Sequence, residues 1–323
     1  MRSPLLALLV SVGCAVSGFV GCEPSPVVNT PATAPSASVA AAPTATAPAP
    51  TTPVPEVPTA APVASIATTE ALPPITKSGA KLTWYGHAAF KLVTPKGKVL
   101  FVDPWITNPK NPTGKDDLAK IDKADLVLVT HGHFDHVGDA VAIAKKTKAK
   151  LVTTFDVGKA MVQHVGYPKD LAGFDTQGNF GGELALLDGE VNVTFVPAVH
   201  SSAVQNAKGD AFAAGNAGGF VIAVKDGPVV YHTGDTDLFS DMALVPTKRP
   251  ITVMLACIGD HFVMGPDRAA EAVKLVRPGM VVPMHFGTFP VLRGTPEAFE
   301  GELKKRGLAT KLQVMQPGAT LDL

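Results

Sequence analysis

Three histidines and an aspartate fall within six residues in His131-Gly132-His133-Phe134-Asp135-His136, directly after the apolar run Leu126-Val127-Leu128-Val129-Thr130. The run has the composition of a buried strand, and the motif is the loop that leaves it. An ordinary solvated loop draws on Gly, Asn, Ser and Pro instead. His131 and His133 alternate as strand side chains do and can reach one point, while Asp135 and His136 turn toward a neighbouring point. That spacing suits two metal ions held side by side.

Later apolar segments deliver three further residues of the same chemical kind. Phe195-Val196-Pro197 leads to His200, Val229-Val230-Tyr231 leads to Asp235, and Val281-Val282-Pro283 leads to His285. One strand-end histidine is ordinary. Three such residues behind the opening motif imply a common rim.

The elements that must position them begin near Lys81. Lys81 to Tyr85, Ala89 to Thr94 and Val99 to Val102 have strand character, with Pro95-Lys96-Gly97 as a turn and Asp103-Pro104-Trp105 closing the third. Further strands are expected at 125–130, 151–154, 183–187, 191–197, 219–224, 229–232, 251–258, 280–283 and 312–315. Helices are expected at 139–146, 157–165, 267–276 and 296–306. Two strand-rich groups, each with helices, predict an α/β sandwich of two mixed sheets with helices on both outer faces. Residues 77–323 are ample for such a core. Ser201 to Gly218, rich in Gly, Ala and Asn, is expected to be a mobile loop beside the site.

The chain before Lys77 differs in kind. Residues 1–22 have the form of an export signal: Arg2, a largely apolar stretch from Leu5 to Val20, and small residues before Cys22. This arrangement resembles a bacterial lipobox and implies a lipidated Cys22, although Phe19 departs from the usual Leu; an ordinary secretory signal is the alternative. Glu23 in place of Asp favours an outer-membrane address. Residues 23–76 are mostly Ala, Pro, Thr, Val and Ser, a composition expected to stay unfolded as a tether reaching on the order of 150 Å. Of three cysteines, Cys14 lies in the signal and Cys22 at its end; Cys257 is expected to be a buried thiol in an apolar strand. The net charge of zero and the lack of a basic cluster near the motif argue against a nucleic-acid partner.

The order HxHxDH, His, Asp, His resembles the metallo-β-lactamase-fold hydrolases. Trp84-Tyr85-Gly86-His87, Asp103-Pro104, Gly218-Gly219-Phe220, the 231–242 segment and the 258–266 segment are similar to uncharacterised metal-dependent hydrolases related to ascorbate-6-phosphate lactonase. The resemblance implies one metal held by His131, His133 and His200, a second by Asp135, His136 and His285, and Asp235 bridging them. Imidazole and carboxylate ligands suit Zn2+, with Mn2+ or Fe2+ as alternatives. Histidine at 133, where the oxygen-reducing di-iron branch carries Glu, disfavours electron transfer.

Two divalent ions about 3.5 to 4 Å apart acidify water and polarise a carbonyl or phosphoryl oxygen. The expected substrate is a small lactone, ester, amide or phosphodiester. Asp135 is a candidate to orient the nucleophile, and His261 and His87 to protonate the leaving group or meet substrate. His232 is expected to be structural and His164 an ordinary surface or packing residue. The alternative is a surface or assembly module that binds metal without turnover.

Overall fold

Strands of two to seven residues, the longer ones alternating or wholly apolar, assemble here into two facing sheets. The computed structural model describes residues 71–323. The expected export signal, Cys22 and the tether as far as residue 70 lie outside the described residues. Residues 71–76 carry no helix or strand, and the Pro73 carbonyl rests against Gly279.

The first sheet opens with the antiparallel strands β1 (Lys81–Trp84), β2 (Phe90–Val93) and β3 (Val99–Val102), then continues in parallel with β4 (Leu126–Leu128), β5 (Lys150–Thr154) and β6 (Gln177–Gly178). The chain then forms β7 (Glu183–Leu186) and β8 (Val191–Pro197), a separate hairpin of β9 (Ala203–Gln205) and β10 (Ala211–Ala213), and β11 (Gly218–Val224) with β12 (Val229–His232). Next come β13 (Val253–Cys257), β14 (Met280–Met284) and β15 (Lys311–Leu312). The second sheet has the order β15-β14-β13-β12-β11-β8-β7. A last strand, β16 (Thr320–Asp322), returns to the free edge of β1. Each sheet is therefore antiparallel at one end and parallel at the other.

Alternation along β3, β4 and β5 sorts side chains between two cores. Leu100, Val102, Leu126, Leu128 and Val152 meet Val193, Phe195 and Phe220 between the sheets. The intervening Phe101, Val127 and Leu151 pack outward on Ile143, Ala144, Val157 and Met161. Ile143 and Ala144 belong to helix α3, Val157 to α4 and Met161 to the π turn that continues α4, in a series α1 (Gly114–Lys120), α2 (Phe134–Val137), α3 (Ala140–Thr147), α4 (Phe155–Ala160), α5 (Pro266–Val276) and α6 (Pro296–Lys305). Local chemistry sets the ends of α6: the Thr295 side chain accepts from Ala298 N at 3.2 Å, Pro296 opens the first turn, and Lys304 and Lys305 occupy the last.

The two-sheet sandwich is the architecture expected. Several elements differ from expectation: α1 and β6 are not among the expected elements, and the strand expected at 312–315 is the short β15. The 201–218 segment is a hairpin rather than an open loop, with Val204 and Ala214 buried in the outer core. The motif itself supplies a helical turn, α2. The edge strand β16 is three residues long, with Leu321 toward the core and Thr320 and Asp322 on the other face, too brief for periodicity to reveal.

Candidate metal centre

Four strands of the two sheets end at one place. β4 leads into His131, β8 into His200, β12 into Asp235 and β14 into His285. Gly234, at φ 60°, makes the turn that presents Asp235, and a Cβ there would strike the Gly218 carbonyl. All seven residues expected as ligands come together in this way.

One group is histidine only. His131 Nε2 lies 3.0 Å from His133 Nδ1, and His200 Nε2 lies 3.3 Å from the same atom. The protons on His131 follow from its neighbours. Thr130 Oγ1 donates to Asp103 Oδ2 at 2.7 Å, so it accepts from His131 Nδ1 at 3.0 Å. The Nε2 lone pair of His131 is thereby left for a cation. Ser201 Oγ lies 3.4 Å from His133 Nε2, on the exposed side of this group.

The other group contains Asp135, His136 and His285, with His87 beside them. His136 Nδ1 donates to Asp103 Oδ2 at 2.7 Å, again turning its Nε2 inward. Asp103 thus orients one histidine of each group, directly and through Thr130. His87 Nε2 is 3.0 Å from Asp135 Oδ2, and its Nδ1 is 2.9 Å from Thr288 Oγ1. The His87 carbonyl in turn accepts from Trp84 Nε1 at 3.0 Å and from His285 N at 2.9 Å. His87, Asp103 and His285 all adopt left-handed backbone, with φ of 51°, 45° and 57°. Such conformations cost about 1–3 kcal/mol each and persist where surrounding bonds enforce them.

Asp235 joins the groups. Its Oδ2 is 3.3 Å from His136 Nε2, 3.0 Å from His285 Nε2 and 3.7 Å from His200 Nε2. One carboxylate oxygen therefore faces nitrogens of both groups.

A cation is needed to satisfy this arrangement. Six buried side-chain polar atoms lack a hydrogen bond among the described residues, and four are here: His136 Nε2, Asp235 Oδ1, and both ring nitrogens of His285. Orphaned buried atoms are costly unless something pairs with them. Imidazole nitrogens and carboxylate oxygens converging within 4.8 Å of one another are a donor set for a divalent transition ion. The residues fit the metal that the motif implies.

Charge differs between the groups. Burial, then proximity to His136, pushes His131 well below the usual imidazole range and lowers His133. Burial also lowers His200, against the pull of Asp235. Burial opposes charge on His136 too, but Asp235, Asp103 and Asp135 together outweigh it and hold that imidazole well above its ordinary value. Against the desolvation that would raise them, His136 and its neighbours keep Asp135 and Asp235 ionised far below the carboxylate range. His87 falls to about 4, mainly through burial and next through His285.

The remaining histidines and the thiol lie apart from the reacting centre. His261 does not join either group: Asp260 and His261 share left-handed backbone, and the turn carries the exposed ring edge-on to Phe262 at 4.3 Å. His232 spends both nitrogens on backbone, Nε2 to Ala88 O at 3.0 Å and Nδ1 from Gly234 N at 3.1 Å. His164 stacks on Phe212 at 3.7 Å. Cys257 is buried in β13, and burial with Asp235 nearby pushes it up to about 12.

Known proteins share this constellation's setting. Residues 99–286 match the beta-lactamase superfamily domain. A UPF0173 metal-dependent hydrolase of Thermodesulfovibrio yellowstonii is 52% identical over 264 residues, covering 81% of this chain and 95% of that protein. One from Anaeromyxobacter dehalogenans is 54% identical, covering 77% and 88%. A solved metallo hydrolase from Ignicoccus hospitalis aligns at 38% identity with a TM-score of 0.65, over 75% of this chain and 97% of that one. The chain belongs to the beta-lactamase superfamily, among the UPF0173 metal-dependent hydrolases.

Proposed function

We propose that the chain hydrolyses a small lactone, ester or related acyl substrate at a two-ion centre. The observation that carries this is the position of Asp235 Oδ2, which faces nitrogens of both ligand groups and suits a bridging carboxylate. His131, His133 and His200 would hold one ion, and Asp135, His136 and His285 the other; zinc suits these ligands best, and manganese or iron also fit. When bound, the ions supply charge that polarises an acyl or phosphoryl oxygen and acidifies water toward neutrality.

The chain's own groups supply orientation and proton handling. Asp103 and Thr130 hold His131 and His136 in the tautomers that face inward. Asp135 is the carboxylate best placed to orient the attacking water, since one of its oxygens is fixed by His87 and it is only partly covered. His285 and Asp235 close the inner wall, so the substrate approaches over the half-exposed His133 and His200. Phosphodiester cleavage by the same groups is the second outcome that a substrate panel distinguishes.

The expected setting is outside the cytoplasm: export by residues 1–22, lipid attachment at Cys22, and a tether that holds the domain off an outer membrane. A panel of lactones, nitrophenyl esters and bis-nitrophenyl phosphate, assayed with the full chain and with Asp235→Ala, tests the function. Metal-dependent turnover of an acyl substrate, lost in the variant, is expected. Turnover unchanged in Asp235→Ala overturns the role of that residue, and no turnover of any acyl substrate overturns the reaction. Labelled palmitate incorporated by the full chain but not by Cys22→Ala is the expected result for the anchor.

A further inference from the structure

Three aromatic rings stand beside the Asp135 side of the centre, each carried by a loop that also supplies a residue of that centre. Phe134 lies between His133 and Asp135, Phe289 lies four residues after His285, and Trp105 lies two after Asp103. The rings touch one another: Trp105 to Phe134 at 5.6 Å, Trp105 to Phe289 at 5.9 Å and Phe134 to Phe289 at 6.4 Å between centroids. They also reach the site itself. The ring of His87, which bonds Asp135, meets Trp105 at 5.4 Å and Phe289 at 5.9 Å.

Core packing does not explain this group. Phe134 is 52% exposed, and Trp105 and Phe289 are half-buried, so the cluster presents an open apolar face. A polar residue at 134 would leave the ligand spacing intact and would be better solvated. The three rings themselves carry no charge, and no cation stacks on them among the described residues; Lys110 lies over Phe286 and beside Gly287 instead. An apolar face that continues directly into a polar centre is the usual division of labour in a small-molecule site, with polar groups orienting the reacting bond and apolar walls holding the rest.

We infer that Trp105, Phe134 and Phe289 hold an uncharged aliphatic or aryl substituent of the substrate, next to the bond that the centre attacks. Phe134 sets the preference because it has the most surface left to cover. The assignment rests on the acyl-hydrolase reading for the reacting group, so binding and turnover are measured separately.

The test uses full-length, zinc-loaded protein and the carboxylates acetate and hexanoate as product-like probes in calorimetry. Hexanoate should bind at least about tenfold more tightly than acetate, since each methylene laid on the wall adds affinity. Phe134→Ser should erase most of that ratio with metal content unchanged, and Phe174→Ser, on an exposed ring 82% open to solvent, should leave it intact. A ratio near one in the wild type, or a ratio that survives Phe134→Ser, overturns the inference. A shift in sedimentation of Phe134→Ser toward a smaller species also overturns it, because the face would then be a subunit contact. Nitrophenyl hexanoate and acetate, assayed in parallel, address the other claim: hexanoate preference in binding without hydrolysis of either ester contradicts the acyl-hydrolase reading alone.

Discussion

The two ligand groups differ in the way they are built. The His131, His133, His200 group is all imidazole, its members are neutral, and two of them are reachable from solvent. The Asp135, His136, His285 group is more enclosed, mixes acid with imidazole, and contains three of the unpaired buried atoms. Burial opposes charge on His136 there, but Asp235, Asp103 and Asp135 shift it well above the ordinary imidazole value. The difference teaches that one group is ready for an ion as it stands, whereas the other must exchange a proton for one.

The largest effect is expected where the groups meet. Asp235→Ala should lower hydrolysis by more than about a hundredfold, beyond the usual loss from removing an outer hydrogen-bond partner. It should reduce metal content on both sides, measured by elemental analysis.

Asp103→Ala comes next, because it strips the partner from a fully buried imidazole and from Thr130. Breaking such a pair is expected to destabilise the fold by roughly 3–5 kcal/mol, read from denaturant midpoints with the slope compared. Asp103→Asn keeps the size and should recover part of that loss.

His87→Ala should separate the groups. It removes the hydrogen bond to Asp135 and should weaken one ion by about 10–100-fold while leaving the other in place. Chelator competition would then show a single early release; simultaneous loss of both ions would mean the groups are not independent.

The smallest effect is the pH dependence. Ion uptake at the His136 side near pH 7 should release a proton, so its calorimetric heat should vary with buffer ionisation enthalpy. Affinity on that side should fall as pH drops, while the all-histidine side should hold until the pH is below the ordinary imidazole value. In the metal-free protein, His87 lowered to about 4 should cost stability as pH falls from 6.5 through 4. The raised His136 works in the opposite sense: its contribution is full below 6.5 and is lost as pH rises through its elevated value. Thermal midpoints across that range, for wild type and His87→Ala, check both signs.

Chain order alone singled out the candidate ligands, because four apolar strands each lead into His or Asp. The two sheets followed from two strand-rich groups, each with helices; the sorting of Leu100, Phe101 and Val102 between two cores shows only in the structure, because all three are apolar. Asp103 was visible as the residue that closes β3 and as part of a family motif, but not as a partner of the candidate ligands. Its partners Thr130 and His136 lie 27 and 33 positions away, a pairing that local spacing cannot carry. The signal that could have found it is an acid directly behind a fully apolar strand. His87 was noticed, but its place against Asp135 depends on a left-handed turn and on the β14 loop. The aromatic wall was hidden for the same reason: Trp105, Phe134 and Phe289 are near in space and distant in sequence. Short segments, β16 and the β9–β10 hairpin, are three-residue strands too brief to show a periodic pattern and acquire structure from their neighbours.

Metal stoichiometry decides between one site and two. Full-length protein, saturated with zinc and freed of unbound ions, should carry two ions per chain, falling to one or none in Asp235→Ala. One ion per chain in the wild type, with that ion retained in Asp235→Ala, would contradict a centre bridged by Asp235.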